Sequence, residues 1–496
     1  MVHPQPNKEW SRERILFHSK RLSVNALLQI GSQVLPLLAG AVAIPLLYKR
    51  IGRDEFGVFT IGLSALGLFS LLDLGLGRAA VRFMSRAFAD RDFTAAASVA
   101  VHSALILFLF SLVLSAASFC AVPIAAAHWF HAAPEIHQPL KQCLYILILA
   151  LPLAGLTSVF RAVLEAKEKF LVISIIQVFL GVLTYIVPLA LSFATNDVRF
   201  IIGGAVACRG FAFVAFFVAA IIAWQGSFPW SKVDLKAQKE FRHFSLWMVV
   251  SNIVGSSIVY GDRALLVKMF GLTEIPFYNV PLELLGRLMI VVNSAATVAF
   301  PALSRAADSK DLFEDVYVTL TTLLSILTGL ALLGLSLLTP LGLHWWLGDD
   351  FRDHSTVTVR VLLVGVAFQT LNVFALASLN ARGFARPITY MHLVETPIYF
   401  WALYRCGSVF GLTGVAVVWS SRLLLEYICF ALFQIRLGTA EGVSRRVAGS
   451  MMAACNALPL AILAFGGNAP ISVLAFGISL LLSLSWVSTR LRRSHM

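Results

Sequence analysis

The sequence predicts an all-α integral membrane protein with about 14 transmembrane helices: two six-helix bundles plus two extra C-terminal helices. Of its 496 residues, 58% are hydrophobic and only 13% are charged, against about 25% charged residues in an average soluble domain. Its mean hydropathy is +0.82, and its apolar stretches do not alternate strictly. The chain is therefore too apolar for a soluble protein, and the pattern argues against an outer-membrane barrel of short alternating strands.

The predicted spans follow from apolar windows of about 19 residues. They lie near 22–48, 56–77, 95–126, 142–165, 170–194, 200–223, 244–270, 278–302, 316–344, 357–380, 387–407, 411–435, 449–466 and 470–488. Because their number is even, both termini lie on the same side of the membrane.

The lysines and arginines predict the orientation. Of the 39, 26 fall on the side of the N-terminus, nine on the opposite side and four deeper within spans. By the positive-inside rule, both termini are cytoplasmic. The net charge of +13 thus reflects membrane topology rather than nucleic-acid binding.

An internal repeat divides the chain. When 47–67 is placed over 266–286 without a gap, seven of 21 positions are identical, including Lys49/Lys268, Glu55/Glu274 and Gly67/Gly286. Chance similarity between apolar segments is the competing explanation. The offset of 219 residues equates spans 1–2 with spans 7–8 and predicts two bundles of the same orientation. The predicted units are 1–223, an amphipathic cytoplasmic linker over 224–243, then 244–436 and 437–496.

Several other functions lack their sequence signature. The six cysteines are scattered without a C-x-x-C pair, and there is no Walker A sequence. The predicted outer loop 127–141 is too short for the catalytic domain of a glycan polymerase or ligase. Its histidines (His128, His131 and His137) with Glu135 resemble solvated loop residues more than a metal site, and Asp349 and Asp350 lie on the outer side, where nucleotide sugars are absent. We expect neither enzyme activity nor a cofactor.

Four segments carry a resemblance to a known family: 52–89 (GRDEFGVFTIGLSALGLFSLLDLGLGRAAVRFMSRAFA), 160–170 (FRAVLEAKEKF), 260–280 (YGDRALLVKMFGLTEIPFYNV) and 300–306 (FPALSRA). They resemble polysaccharide flippases of the multidrug/oligosaccharidyl-lipid/polysaccharide exporter superfamily, of the O-antigen or exopolysaccharide type. The resemblance implies a MATE-like fold with a V-shaped lumen between the bundles.

The resemblance also implies a function: moving a polyprenyl-diphosphate-linked oligosaccharide from the inner to the outer leaflet of the bacterial cytoplasmic membrane, by alternating access coupled to H⁺ or Na⁺. The expected partners are this substrate and membrane lipid, with polysaccharide polymerase or assembly proteins as further candidates, no nucleic acid, and a monomeric chain. A multidrug or cation antiporter of the same superfamily is the main alternative, and a membrane glycan polymerase is a weaker one.

Arginines are the candidate ligands for a diphosphate, because guanidinium groups bind phosphate oxygens in pairs. Arg78, Arg82 and Arg86 follow span 2 at four-residue intervals, although the same stripe also fits a topological anchor. Arg263 lies about 10 Å from the outer end of span 7, a depth at which a charge faces a cavity or a partner. Its neighbour Asp262 points about 100° away and makes a poor partner.

Two further arginines have an acidic residue on the same predicted helix, four residues away. These pairs are Glu283 with Arg287 and Arg422 with Glu426, which we predict as ion pairs, with a lumen-lining role as the alternative. Arg287 is therefore also a candidate substrate ligand.

Amides and buried acids complete the candidate residues. Asn25, Gln29 and Gln33 form a polar stripe on span 1, and Asn252 on span 7 aligns with Gln33 in the repeat. Amides bind sugar hydroxyls well because they both donate and accept, although bonding between helices explains them equally well. The candidate acceptors of a coupling ion are Asp73, Asp262 and Glu283.

Overall fold

The computed structural model describes residues 34–71, 76–128, 137–224, 261–306, 310–381, 385–436 and 460. Every regular element within these ranges is a helix. Several sequence predictions lie outside the described residues: Asn25, Gln29, Gln33, Asp73, Asn252, the linker beyond Trp224, and spans 13 and 14 apart from the buried Leu460.

The helices are numbered in chain order. They are α1 (Val34–Ile51), α2 (Arg53–Leu71), α3 (Leu76–Ala89), α4 (Phe93–His128), α5 (His137–Ile148), α6 (Ala150–Ala166), α7 (Phe170–Ala194), α8 (Val198–Trp224), α9 (261–270), α10 (Pro276–Ala306), α11 (Lys310–Leu347), α12 (Asp349–Ala381) and α13 (Ala385–Arg436).

Length and composition allow eight segments of the described chain to cross a membrane. Their burial separates two environments. Only 17% of the most apolar window of α4 is buried within the protein, whereas 72% of the corresponding window of α12 is buried. Since exposed apolar side chains on this scale require a lipid solvent, α4 faces the bilayer and α12 lies inside the helix assembly. The protein is thus a multi-pass membrane protein.

The ends of α4, α7, α8 and α10 lie within four residues of the predicted spans 95–126, 170–194, 200–223 and 278–302, and other helices differ more. The predicted span 142–165 is interrupted at Leu149, between α5 and α6, and begins earlier, at His137. The predicted spans 387–407 and 411–435 are joined as α13, which bends at Gly411, where φ is 62°. Glycine tolerates this left-handed conformation, so the chain can turn there without a loop.

The repeat offset recurs in the structure. Gly52 and Gly271, which are 219 residues apart, both adopt positive φ, at 80° and 75°, directly after α1 and α9. The long helix α4 over 93–128 has its counterpart in α11 over 310–347, at nearly the same spacing. Each of these two helices is unusually long, with 36 and 38 residues. The predicted duplication therefore agrees with both helix bounds and turn geometry.

One buried core connects the two parts of the chain. It contains residues of α1, α2, α5, α7 and α8 together with residues of α9 to α13, including Leu47, Phe56, Phe277 and Phe351. A smaller cluster joins α3, α4 and α6. Gly57 of α2 packs directly against the turn before α10. A Cβ at this position would lie only 2.2 Å from the carbonyl oxygen of Leu272, so the approach requires a residue without a side chain. This close approach brings the polar side chains of α2 and α10 together.

Candidate functional site

A polar site, here called the central site, lies where α2 and α10 meet. It comprises Ser64, Tyr185, Arg209, Arg263, Glu283 and Arg287. The Arg263 Nη1 atom lies 3.6 Å from the Glu283 Oε1 atom, and these side chains are 11% and 26% exposed. The Ser64 hydroxyl donates to the same oxygen at 3.5 Å. One carboxylate thus joins α2, α9 and α10.

Two more arginines border this group. Arg287 donates to the Tyr185 hydroxyl of α7 at 2.5 Å, and its guanidinium lies 5.3 Å from the centre of that ring. Arg209 of α8 donates to the carbonyl oxygen of Leu66 at 3.3 Å. Its positive charge also lies close enough to interact with the Tyr185 hydroxyl. Gly40 of α1 leaves room for the Tyr185 ring, since a Cβ there would lie 3.3 Å from it. The site therefore draws on both parts of the chain.

The charge of the central site is positive. It contains the three guanidinium groups of Arg209, Arg263 and Arg287 but only the carboxylate of Glu283. A guanidinium cannot lose its proton at any relevant pH, so this positive charge is permanent. Such a site suits an anionic ligand with several oxygen atoms better than a cation.

A second group of contacts, here called the latch, closes one end of the α2–α10 junction. It comprises Tyr48, Arg53, Asp54, Thr273, Glu274 and Asp350. Arg53 lies 2.8 Å from Glu274 and 3.6 Å from Asp350, and its guanidinium stacks over the Phe277 ring at 4.6 Å. The Thr273 hydroxyl donates to Asp54 at 2.9 Å, and the Tyr48 hydroxyl donates to Asp350. The latch thus joins α1 and α2 to the α9–α10 turn and α12.

A third group, here called the buried ion cluster, lies among α9, α12 and α13. Its members are Asp262, Asn372, His392, Glu395, Tyr399, Arg422 and Glu426. Arg422 lies 3.5 Å from Glu395, and the His392 ring lies 3.1 Å from Glu395 and 3.8 Å from Glu426. Asp262 is 1% exposed and accepts a hydrogen bond from the Tyr399 hydroxyl at 3.4 Å. The cluster holds three carboxylates against one arginine and one histidine.

The predicted behaviour of Arg263 and Asp262 agrees with the structure. Both residues are buried, and their side chains turn to different neighbours. Arg263 reaches Glu283, whereas the Asp262 carboxylate accepts from the backbone N–H of Arg263 at 2.7 Å and from Tyr399.

The two ion pairs predicted within single helices are wrong. Glu283 pairs with Arg263 of α9, while Arg287 turns to Tyr185. Arg422 pairs with Glu395 rather than with Glu426, which faces His392 and Asn372. The reason is that both arginines point towards a packed neighbouring segment, where Tyr185 and Glu395 offer other partners.

The basic stripe lies on α3, which packs against α4 and α6. Arg82 and Arg86 lie on the exposed face of α3, and Arg86 is in its last turn. Arg78 belongs to the same helix, but its side chain is outside the described part of the structure. The structure therefore places Arg82 and Arg86 on a surface separate from the central site.

Four residues of these sites were not among the candidates predicted from the sequence: Tyr185, Arg53, Ser64 and Thr273. The repeat nevertheless contained a signal for two of them. Ser64 and Glu283 are 219 residues apart, and so are Asp54 and Thr273. Equivalent residues of two related units touch only near the axis that relates them. Polar residues aligned with each other by the repeat were therefore candidates for the junction.

Among the described residues, no group of three or more His, Cys, Asp or Glu side chains is arranged to hold a metal ion. Residues 129–136, which include His131 and Glu135, lie outside that part of the chain. Asp350, which the sequence places next to Asp349, belongs to the latch through its contacts with Tyr48 and Arg53.

These features define a helical multi-pass membrane protein with a positively charged site between two sets of helices. Residues 22–307 match the family described as "Polysaccharide biosynthesis protein", and the chain belongs to that family. A relative from Shigella flexneri, named "Putative O-antigen transporter", is 25% identical over 405 residues, which cover 81% of this chain and 95% of the relative.

Solved structures share the fold. The lipid II flippase MurJ, in an inward closed conformation, aligns with a TM-score of 0.66 at 14% identity, covering 94% of this chain and 99% of MurJ. A multidrug resistance MATE family transporter of the MOP superfamily, in an inward-facing conformation, aligns with a TM-score of 0.63 at 14% identity, covering 86% and 99%. The chain therefore has the fold shared by MurJ and the MATE transporters.

Proposed function

We propose that this protein moves a polyprenyl-diphosphate-linked oligosaccharide from the inner to the outer leaflet of the bacterial cytoplasmic membrane. The observation that carries the proposal is the central site, which combines the guanidinium groups of Arg209, Arg263 and Arg287 with one carboxylate, that of Glu283. A diphosphate needs positive charge throughout the transport cycle, and guanidinium groups supply it. Family membership and the name of the Shigella flexneri relative support a role in surface polysaccharide synthesis.

The proposed architecture has two six-helix bundles, 1–223 and 244–436, with 224–243 as a cytoplasmic linker and 437–496 as two extra helices. The contacts at a spacing of 219 residues support this division, because they are those expected near an axis between equivalent bundles. With both termini in the cytoplasm, the latch lies at the outer end of the lumen. The described conformation is then closed to the outside.

Alternating access coupled to H⁺ or Na⁺ is the proposed drive. Asp262 is the acceptor best supported by its surroundings, because it is 1% exposed and its carboxylate accepts only neutral hydrogen bonds among those the structure describes, from the Arg263 backbone N–H and the Tyr399 hydroxyl. Glu283 is already balanced by Arg263, so its coupling role requires that pair to separate during transport. Asp73 stays a candidate on sequence grounds.

The remaining sequence candidates have proposed roles along the substrate's route. Arg78 and Arg82 would receive the diphosphate at the cytoplasmic face. The amides of Asn25, Gln29, Gln33 and Asn252 would bind sugar hydroxyls in the lumen. We propose a monomer that acts beside polymerase or other assembly proteins and catalyses no covalent step.

The decisive experiment is deletion of the gene, followed by complementation. Deletion should accumulate lipid-linked oligosaccharide on the inner leaflet and remove the surface polysaccharide, and the wild-type gene should restore export. Arg263→Ala should fail to restore export at normal protein abundance. The matched control is Arg360→Ala, which removes a part-buried arginine that donates to the Ser336 carbonyl oxygen, outside the central site. Normal export after deletion, together with new sensitivity to cationic drugs, would instead favour a cation antiporter.

The orientation has a separate test. A single cysteine at Asp234 or at Ser444 should be protected from a membrane-impermeant thiol reagent in intact cells, whereas one at Glu135 should react. Reaction at Asp234 from outside would contradict the two-bundle arrangement, because the halves would no longer share one orientation.

A further inference from the structure

The carboxylate of the central site, that of Glu283, is loosely held. The Arg263 Nη1 atom and the Glu283 Oε1 atom are 3.6 Å apart, and the Ser64 hydroxyl donates to the same oxygen at 3.5 Å. Both distances exceed ordinary hydrogen-bond lengths of about 2.7–3.2 Å. Glu283 therefore neutralises Arg263 by charge more than by directed bonding, and a phosphate oxygen that forms short hydrogen bonds to the guanidinium can replace it.

The charges around Glu283 come from several helices. Arg263 of α9 is its ion-pair partner, and the Tyr185 hydroxyl of α7 interacts electrostatically with Glu283, with Arg287 of α10 and with Arg209 of α8. An arginine keeps its charge at any relevant pH. A diphosphate that binds these arginines therefore brings a second anion close to Glu283, and the two anions repel each other.

Asn279 lies one helical turn before Glu283 on α10 and is 1% exposed. Neither its amide nitrogen nor its amide oxygen has a hydrogen-bond partner among the described residues. Residues four apart on a helix are neighbours, and both of these side chains line a small space against Thr60 of α2. That space has room for about one water molecule, so it admits a carboxyl oxygen of Glu283 but no group of a substrate.

A protonated carboxyl group is the chemical complement of this amide. Its O–H donates to an amide oxygen while its C=O accepts from an amide N–H, so the two groups form a pair of hydrogen bonds. An ionised carboxylate only accepts, and it leaves the Asn279 oxygen without a donor. The buried amide therefore fits Glu283 in its protonated form, separated from Arg263.

We propose that Glu283 is an internal counter-ion, which the substrate diphosphate displaces from Arg263 and which then takes up one proton from water and pairs with Asn279. The inference rests on the proposed flippase function. A carboxylate that loses its arginine and gains an anionic neighbour favours its neutral form. Arg263 then neutralises the diphosphate instead of Glu283, and the added proton removes the displaced negative charge. Each binding event thus consumes a proton.

The displacement also reaches the junction between α2 and α10. Ser64 belongs to α2, and it donates to the same Glu283 oxygen that faces Arg263. When this carboxylate moves towards Asn279, the contact from Ser64 is lost together with the ion pair. Occupation of the central site therefore loosens the junction that the latch closes at its outer end.

The test measures proton uptake on binding to the purified full-length protein in lipid nanodiscs, by titration calorimetry at neutral pH in two buffers with different heats of ionisation. The probe is polyprenyl diphosphate without sugar. Wild type should take up about one proton more per bound lipid than Glu283→Gln, because glutamine cannot change its charge. Glu283→Gln should also bind the probe about five-fold more tightly, since no ion pair has to break first.

Further variants test the pairing and control for general effects. Asn279→Leu should reduce the extra proton uptake and bind the probe about ten-fold more weakly, as expected for one or two net hydrogen bonds. Glu165→Gln should behave as wild type: Glu165 is also paired with an arginine and is 26% exposed, as Glu283 is, but it lies on α6 outside the central site. Gln434→Met, which removes a buried amide that donates to Ser378, should also match wild type.

Several results would overturn the proposal. Equal proton uptake by wild type and Glu283→Gln, or weaker binding by Glu283→Gln, would show that Glu283 is not a displaced counter-ion, although the flippase function stands. If Asn279→Leu keeps the full proton uptake, the amide pairs only with water. If wild type binds no polyprenyl diphosphate, the flippase function falls together with this inference. A thermal unfolding midpoint within a few degrees of wild type shows that a loss in Asn279→Leu is not unfolding.

Discussion

The latch should control how often the α2–α10 junction opens, and Arg53 is its most connected residue. Arg53→Ala removes the ion pair with Glu274 at 2.8 Å, the longer one with Asp350 at 3.6 Å, and the stacking on Phe277 at 4.6 Å. All three contacts cross from α2 to the second part of the chain, so all three must break when this end separates.

The magnitude follows from these distances and exposures. Arg53 and Glu274 are 32% and 39% exposed, so solvent limits their pair to about 0.5–1 kcal/mol. The Asp350 pair is longer and weaker, and a part-exposed cation–π contact contributes about 0.5–1 kcal/mol. Together the lost contacts amount to about 2 kcal/mol, which raises the equilibrium ratio of open to closed molecules about 30-fold.

Cysteine labelling measures this ratio. In a cysteine-free background, a single cysteine at Leu63, which lies beside Asn279 and Glu283 at the α2–α10 junction, should react with an impermeant thiol reagent added outside only when the latch is open. Arg53→Ala should raise the labelling rate by about the 30-fold calculated above. The control is Arg50→Ala: Arg50 lies near the same end but donates to the Ser192 carbonyl oxygen at 3.1 Å and stacks on Phe193.

An unchanged labelling rate in Arg53→Ala would refute the reasoning, because the latch contacts would then contribute nothing to closure. An equal increase in Arg50→Ala would also refute it, since the effect would reflect general loosening of the outer helix ends.

Three further predictions concern other parts of the molecule. Gly57→Ala should lower stability by about 1–3 kcal/mol, seen as a lower thermal unfolding midpoint, because its Cβ would lie 2.2 Å from the Leu272 carbonyl oxygen. Asp92→Ala should cost about 1 kcal/mol by the same measurement, since Asp92 accepts from the backbone N–H groups of Thr94 and Ala95 at the start of α4. Hydrogen bonds from Thr94 and Ala95 lower the pKa of Asp92 from its ordinary 3.8, so its charge stabilises the fold fully above pH 3.8. The difference in stability between wild type and Asp92→Asn should vanish as the pH falls through the lowered pKa. Arg263→Lys should retain part of the glycan export that Arg263→Ala abolishes, because lysine keeps the charge but loses the paired donors. Asp262→Asn should change the pH dependence of export at normal protein abundance. Equal loss of protein in the Arg263 and Asp262 variants would mean that the two residues form a merely structural pair.

Hydropathy predicted the helices well because lipid imposes both their length and their apolar surface. The span predicted over 95–126 is α4 over 93–128, and the repeat placed Gly52 and Gly271 at equivalent turns. The ion pairs were harder, since the i, i+4 rule compares residues of one helix only. In the folded protein the carboxylate that pairs with the Arg263 guanidinium comes from α10.

Asn279 of α10, an amide that is 1% exposed, was missed for a different reason. On sequence alone it is one amide near the end of a predicted span, where polar residues are common. Its significance depends on burial and on the lack of a partner among the described residues, and both are properties of packing between α2 and α10. Tyr185 was missed similarly, because a tyrosine in an apolar helix is ordinary until Arg287 is found against it.

The lengths of α4 and α11 have a mechanical consequence. At 1.5 Å per residue, the 36 residues of α4 extend about 54 Å, and even a tilt of about 40° leaves a rise of about 41 Å against a hydrocarbon layer of about 30 Å. The 38 residues of α11 exceed the layer by more. At tilts up to about 40°, both helices must therefore protrude into the headgroup region. A thinner or thicker bilayer then changes how much of each helix end protrudes, while each helix stays long enough to cross the hydrocarbon. Membranes of different thickness therefore accommodate the protein without unwinding α4 or α11.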